Sequence, residues 1–306
     1  MLSSPFWFRT VLLSLTFLTA LMLPGLGLAA DKLPVTASFS ILGDLVRVVG
    51  GERVRVTTLV GPDEDAHVFE PKPTDAKNLL KSRLLVSNGL GFDPWAQKLA
   101  KAAGFKGLTL EASQGVTPRT LPADKGHPHV GTDPHAWQNP DNVVIYVRNI
   151  AAALGQLDPA GAATYKSNSA TYIKELQALD NWAKAQFATL PASKRKVITS
   201  HDAFGYFAAH YQLTFLAPQG VSTDAEPSAK EVAQLIRQIK REHIKAVFVE
   251  NMSNQTLLAQ LGQDTGVTLG AKLYVDALSG PTQAGASYLQ LMRHNVTQLV
   301  AGMQQN

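Results

Sequence analysis

The sequence predicts an α/β protein of two β/α lobes with parallel sheets, joined by a long helix. Three observations carry that expectation. Strand-like and helix-like segments alternate over residues 34–87, the same rhythm resumes after residue 191, and the stretch over 140–190 is patterned for helix. Alternation of this kind argues for parallel strands covered by helices.

The elements follow in order. Arg9 is the only charged residue before Asp31, and it precedes an apolar run over 11–23 that ends in Pro24-Gly25 and closes with Ala29-Ala30. A positive start, an apolar core and small residues describe a cleavable secretory leader over 1–30. The run is shorter than the roughly 20 residues needed to span a bilayer. Residues 34–39 then read as a strand, 41–49 as a helix stopped at Gly50-Gly51, and 54–60 as a strand closed by Gly61-Pro62. Residues 74–81 read as helix and 83–87 as strand. Apolar residues at helical spacing cover 140–154, and 159–190 reads as one helix, roughly 45 Å long at 1.5 Å per residue. After it come a strand at 196–199, a helix at 203–211 and an amphipathic helix at 228–242 entered through Glu226-Pro227-Ser228. Two buried strands at 246–249 and 273–275, then a helix at 287–303, complete the chain. The expected organisation is a leader over 1–30, a first lobe over 31–158, a linking helix over 159–190 and a second lobe over 191–306.

Composition narrows the function. At 306 residues the chain holds two domains at about 150 residues each. Hydrophobic residues at 45% against 17% charged supply real cores and exclude a disordered chain. A net charge of +4, with no dense Lys/Arg run, excludes a nucleic-acid stripe. There is no cysteine, so neither a disulfide nor a lipid-modified cysteine is expected, and an exported protein free in a periplasm is.

The chain has eight histidines, unequally placed. His67 lies in the loop after the strand at 54–60, His201 directly after the strand at 196–199, and Asp276 directly after 273–275. His135 lies just before a helix. Ligands of parallel α/β sheets collect beyond the carboxyl ends of strands. Three imidazoles and one carboxylate make a four-coordinate set suited to Zn²⁺, at about 2.0–2.2 Å per bond. His127 and His129, in Asp124-Lys125-Gly126-His127-Pro128-His129, form a candidate accessory metal loop or an ordinary solvated one. His210, nine residues after His201, falls on the opposite side of its helix. His243 and His294 sit in ordinary charged surroundings. Asp63, Glu64 and Asp65 read as turn and solvation residues, with hydrogen bonding or attraction of cations near the cleft as the alternative. Glu250, ending an apolar strand, is a candidate hydrogen-bond acceptor for a ligand histidine or for nearby backbone.

The chain resembles the ABC-transporter substrate-binding proteins for zinc and manganese, over about 35–300. The resemblance is carried by Gly61-Pro62-Asp63-Glu64-Asp65-Ala66-His67-Val68-Phe69-Glu70-Pro71, by Asp133-Pro134-His135-Ala136-Trp137 and by Ser200-His201-Asp202-Ala203-Phe204-Gly205-Tyr206. Glu226-Pro227-Ser228-Ala229, Val249-Glu250, Tyr274-Val275-Asp276-Ala277-Leu278 and the run from Tyr288 to Asn295 complete it. It implies two β/α lobes joined by a stiff helix, with metal in the interlobe cleft held by His67 and His135 from the first lobe and His201 and Asp276 from the second. It implies delivery to an inner-membrane ABC permease by a monomer, with a zinc metallochaperone as a further candidate partner. His201, where manganese members often carry glutamate, favours zinc, as imidazole chemistry does. The rival readings are a manganese or iron carrier of the same fold, a surface adhesin and a zinc hydrolase. A hydrolase keeps an open metal position and needs a general base; four protein ligands leave no such position.

Overall fold

Four parallel strands open the chain: β1 (Leu33–Phe39), β2 (Val54–Val60), β3 (Leu84–Ser87) and β4 (Leu108–Glu111), in the order β2-β1-β3-β4. β1 is central, with Val35 facing Val56 on one side and Leu84 on the other. It is buried on both faces, Leu33, Val35, Ala37 and Phe39 on one and the small polar Thr36 and Ser38 on the other. The returns are made by α1 (Ser40–Gly50), α2 (Pro73–Leu79) and α3 (Pro94–Ala103). Ile41, Leu42, Leu45, Val46 and Val49 place the apolar stripe of α1 on the sheet. Gly51, at φ 53°, ends that helix in a conformation that costs a side chain.

A computed structural model describes residues 1–2, 31–121, 131–224, 226–252 and 255–306, with Lys32–Asn306 forming one compact body. Of the expected leader only residues 1 and 2 are described, and His127 and His129 lie outside the described residues. No helix among the described residues is long and apolar enough to cross a membrane.

A two-residue antiparallel pair, β5 (Arg119–Thr120) with β6 (Thr132–Asp133), leads to His135. α4 (Pro140–Leu157) follows, capped by the Asn139 side chain, which accepts from Asp141 N at 2.9 Å. The expected long helix is α5 (Ala162–Ala188), 27 residues, entered through a 3₁₀ turn at Pro159–Gly161. Tyr165, Ser169, Tyr172, Leu176, Leu179, Ala183 and Phe187 fall at three- and four-residue steps and are all buried. That stripe packs α5 along α1 and α4 from the first half and along α9 (Tyr288–Met303) from the second. At its start Asp158 accepts from Arg53 Nε at 2.8 Å and from Tyr165 Oη at 2.7 Å, pinning the turn to the first sheet's edge.

In the second half β7 (Lys196–Ile198) pairs in parallel with β8 (Thr214–Leu216). α6 (Gly205–Tyr211), α7 (Ala229–Glu242) and α8 (Gln255–Thr265) surround them. Ser228 caps α7, its side chain accepting from Glu231 N while Glu231 accepts from Ser228 N at 2.7 Å. The strands expected at 246–249 and 273–275 are reduced to single parallel bridges, Ile198 with Val247 and Glu250 with Leu273. Both segments follow strand paths: Phe248 N donates to Ile198 O at 2.9 Å and Leu273 N to Val249 O at 2.8 Å. Their apolar residues reported burial correctly, but burial alone does not extend a ladder. α3, β4, β8 and α8 are not among the expected elements; β4 and β8, at four and three residues, carry too short a pattern to read.

Candidate metal centre

The chain brings His67, His135, His201 and Asp276 together, each held by the backbone next to it. His67 follows β2 in a loop where Asp65 Oδ1 accepts from His67 N at 2.9 Å and Trp95 Nε1 donates to Ala66 O at 2.9 Å. His135 follows β6, and Asp133 takes both its backbone N–H and its ring Nδ1 at 3.0 Å. Arg119 Nη1 holds the other oxygen of Asp133 at 3.0 Å. His201 follows β7, and Glu250 collects Ser200 N at 2.8 Å, His201 N at 3.1 Å and His201 Nδ1 at 2.5 Å. Glu250 thus fills both roles weighed for it, ring acceptor and backbone acceptor. Asp276 stands beyond the bridge at Leu273, and Trp137 Nε1 and Gln138 Nε2 each donate to the adjacent Val275 O at 3.0 Å.

These contacts decide which nitrogens are free. With Nδ1 of His135 and His201 donating to carboxylates, Nε2 of each is the donor atom that remains for a ligand. The four donor atoms lie within 4.8 Å of one another. His67 Nε2 is 3.3 Å from His135 Nε2 and 3.1 Å from Asp276 Oδ2. His201 Nε2 is 3.0 Å, and His135 Nε2 3.7 Å, from that oxygen. A tetrahedral ion with bonds of 2.0–2.1 Å has ligand–ligand edges of about 3.3 Å. The measured separations bracket that value.

Burial sharpens the point. The side chains of His135, His201 and Asp276 are fully buried and that of His67 is 5% exposed. His201 Nε2, although 3.0 Å from the carboxylate, makes no aligned hydrogen bond, and Asp276 Oδ1 has no hydrogen-bond partner. Buried polar atoms without partners are costly and rare. A divalent cation would satisfy both.

The charges interlock. Burial works against protonation of His201, but the Glu250 and Asp276 carboxylates outweigh it and hold the imidazole well above its ordinary 6.5. His135 is raised by Asp276 and by its bond to Asp133, again against burial. Burial would raise Asp276, yet the two imidazoles keep it well below the carboxylate range. The carboxylates that would face a cation thus favour protons on these two rings when no cation is bound.

Sequence reasoning missed Asp133 and Asn251. Asp133 was legible in principle, since a carboxylate two residues before a histidine can accept both its N–H groups. In the acidic loop the hydrogen-bonding alternative applies to Asp63. Asp63 accepts from Asn251 Nδ2 at 2.8 Å and from Gly280 N at 3.3 Å, so it is a cross-chain acceptor rather than only a solvation residue. Glu64 stays local, accepting from Gly61 N at 2.6 Å.

The other described histidines are separate. His243 ends α7 at φ 53°, and His294 Nε2 donates to Lys272 O at 2.8 Å. His210 lies in a second group with Asp141 and Asp180, but its two nitrogens face different carboxylates: Nε2 Asp180 at 2.7 Å, Nδ1 Asp141 at 3.9 Å. Lys184 Nζ already holds Asp180 at 2.6 Å. A ring sandwiched this way suits an ion-pair network, not a shared metal.

Comparison with known proteins agrees with this architecture. The family described as zinc-uptake complex component A, periplasmic, matches residues 35–302. The manganese-binding lipoprotein MntA of Halalkalibacterium halodurans is 31% identical over 275 residues, covering 90% of each chain. The manganese ABC transporter substrate-binding lipoprotein PsaA of Streptococcus pneumoniae is 29% identical over 282 residues, covering 90% of this chain and 90% of its own. The periplasmic zinc-binding protein TroA of Treponema pallidum has a TM-score of 0.83 at 24% identity, over 89% of this chain and 99% of its own, which shows the fold. The manganese-bound periplasmic metal-binding protein of Candidatus Liberibacter asiaticus superposes with a TM-score of 0.78 at 28% identity, over 89% of this chain and 100% of its own. The chain therefore belongs to the zinc-uptake complex component A family and is a metal-binding component of an ABC transporter, not an enzyme.

Proposed function

We propose that the protein captures Zn²⁺ in the periplasm, after removal of its leader, and delivers it to an inner-membrane ABC permease. His67, His135 and His201 supply three imidazoles and Asp276 one carboxylate. The first two come from a lobe over 31–158 and the last two from a lobe over 191–306, with 159–190 as the link. The observation that carries this reading is the set of donor atoms spaced near tetrahedral edges, with His201 Nε2 among them and the second oxygen of Asp276 beside them buried without hydrogen-bond partners. Three imidazoles and one oxygen suit zinc better than the harder Mn²⁺.

Manganese is the second reading, and one feature favours it. Asp276 Oδ1 is buried and partnerless, so it is available as a fifth, oxygen donor. Relatives named for manganese point the same way. Metal content of the purified protein, with zinc and manganese competing at buffered free concentrations, separates the two. One zinc per chain, weakened by His67→Ala, His135→Ala, His201→Ala and Asp276→Ala, supports the zinc reading. Preferential retention of manganese replaces it. Affinity that survives all four substitutions removes the site.

A further inference from the structure

We propose that Asp63 and Asn251 form a latch across the mouth of the metal site and set the rate at which bound cation leaves. The proposal rests on the reading of His67, His135, His201 and Asp276 as ligands.

The two residues are 188 positions apart and tie together the loops that carry His67 and Asp276. Asn251 Nδ2 donates to Asp63 Oδ1 at 2.8 Å and to Ala277 O at 3.3 Å, and Asn251 Oδ1 accepts from Val275 N at 3.4 Å. One amide therefore clasps the backbone on both sides of Asp276 while gripping the loop that leads to His67. Asp63 completes the clasp. Its own N–H donates to Leu278 O at 2.8 Å, and its second oxygen accepts from Gly280 N. Two residues on, Asp65 holds His67 N with one oxygen and Thr223 Oγ1 with the other, the latter at 2.7 Å. Asp63 stands at φ 56°, a left-handed position that aspartate tolerates better than most residues.

The position of this clasp makes it a gate. On the inner side the joint is closed by Trp137 and Gln138 donating to Val275 O from full burial. His135, His201 and Asp276 are sealed there. His67 is the one ligand with exposed side-chain area, its neighbour Val68 is 51% exposed, and Asp63 lies at the surface. A cation can reach solvent by lifting the His67 loop, a motion that also frees buried Ala66 and the Trp95 Nε1 bond to Ala66 O. The rim bonds that resist the lift are those of Asp63, Asn251, Asp65 and Thr223. Water can replace them at the rim at low cost, as a contact that must open in every transport cycle requires.

The test is stopped-flow transfer of Zn²⁺ from the purified protein to a chromophoric chelator in excess. Asp63→Gly removes the carboxylate and keeps the backbone conformation; Asp63→Asn keeps one acceptor oxygen; Asn251→Ala removes the amide. Loss of a charge-assisted hydrogen bond should speed release about tenfold in Asp63→Gly and in Asn251→Ala. Asp63→Asn should fall between it and the parent protein. The double variant should be no faster than about twice the quicker single, since both break one clasp. Association rate and one-to-one stoichiometry should not change, a pattern that general loosening of the fold would not give. Release within about twofold of the parent in Asp63→Gly, or effects that multiply in the double variant, overturn the latch. His67→Ala in the same assay separates the two levels. If it releases zinc no faster than the parent, the metal site itself is misplaced and the latch falls with it; if it does while Asp63→Gly does not, only the latch falls.

Discussion

Metal binding should be coupled to the loss of two protons, and the coupling can be worked from the site. In the metal-free protein His201 is held well above its ordinary value and His135 is raised, both by carboxylates that outweigh burial. Asp276, held well below the carboxylate range, stays ionised and contributes no proton. A ring must be neutral to ligate, so below the raised values each proton displaced costs a factor of ten in apparent affinity per pH unit. Two protons from about pH 7 down to about pH 5 therefore weaken zinc binding by up to roughly 10⁴. The same shifts fix the sign for stability. The raised imidazoles stabilise the metal-free fold below their unfolded value near 6.5, and that contribution is lost as pH rises through the folded value. The depressed Asp276 contributes above 3.8 and is lost as pH falls through its folded value. The melting-temperature gain on adding zinc should hence grow with pH through neutrality. Calorimetric titration in two buffers of different ionisation enthalpy counts the protons, and chelator competition across pH gives the slope. Proton release near zero, or a flat affinity profile, would refute the reasoning.

Three further outcomes follow from particular contacts. Glu250→Gln places an amide NH₂ group against His201 Nδ1, which favours the tautomer with the proton on Nε2; zinc affinity should fall about 10–100-fold with the fold intact, measured by chelator competition. Gly205→Ala drives a methyl group into the Arg119 guanidinium and Asp133 Oδ2, so the support behind His135 must shift; about 1–3 kcal/mol of stability should be lost together with affinity, in paired melting and competition experiments. Asp180→Ala breaks the bonds from Lys184, His210 and Tyr211 and strands the buried tyrosine hydroxyl. It should cost about 2–3 kcal/mol by denaturant unfolding and leave zinc stoichiometry unchanged, which a second metal at His210 would not.

What the sequence disclosed depended on whether a residue's role is local. The strand-and-helix rhythm foretold the first sheet because β1 and β3 are buried and β2, rich in Val and Thr, is bracketed by Gly50-Gly51 and Gly61-Pro62. The stripe from Tyr165 to Phe187 foretold α5 because its period is a property of the helix itself. His201 and Asp276 stood out because each follows an apolar run, which places it at a carboxyl end. The strands at 246–249 and 273–275 were overread, since apolar content reports that a segment is buried and says nothing of how many ladder bonds it makes. Asp63 and Asn251 were illegible for a different reason. An aspartate in a loop of Gly, Pro and acids is ordinarily a turn residue, and only the three-dimensional path brings an amide 188 residues away against it.

Charge balance links the protons, the latch and the choice of cargo. The buried donor set and its supports comprise three carboxylates, Asp276, Asp133 and Glu250, with one guanidinium, Arg119, bonded to Asp133. Formally that leaves two negative charges in a region closed to water, and buried charge persists only when it is compensated. Protons on His135 and His201, which these carboxylates favour, compensate it below the raised values; one divalent cation would do so in the loaded protein. The exchange of one for the other leaves the net charge of the core unchanged, so the two states need differ little in packing. A monovalent ion fails on charge. Of the three carboxylates only Asp276 faces the centre directly; Asp133 and Glu250 act through imidazole rings. Glu250 spends both oxygens on Ser200 and His201, which keeps nitrogen, not oxygen, facing the centre, and that donor chemistry is what the zinc proposal rests on.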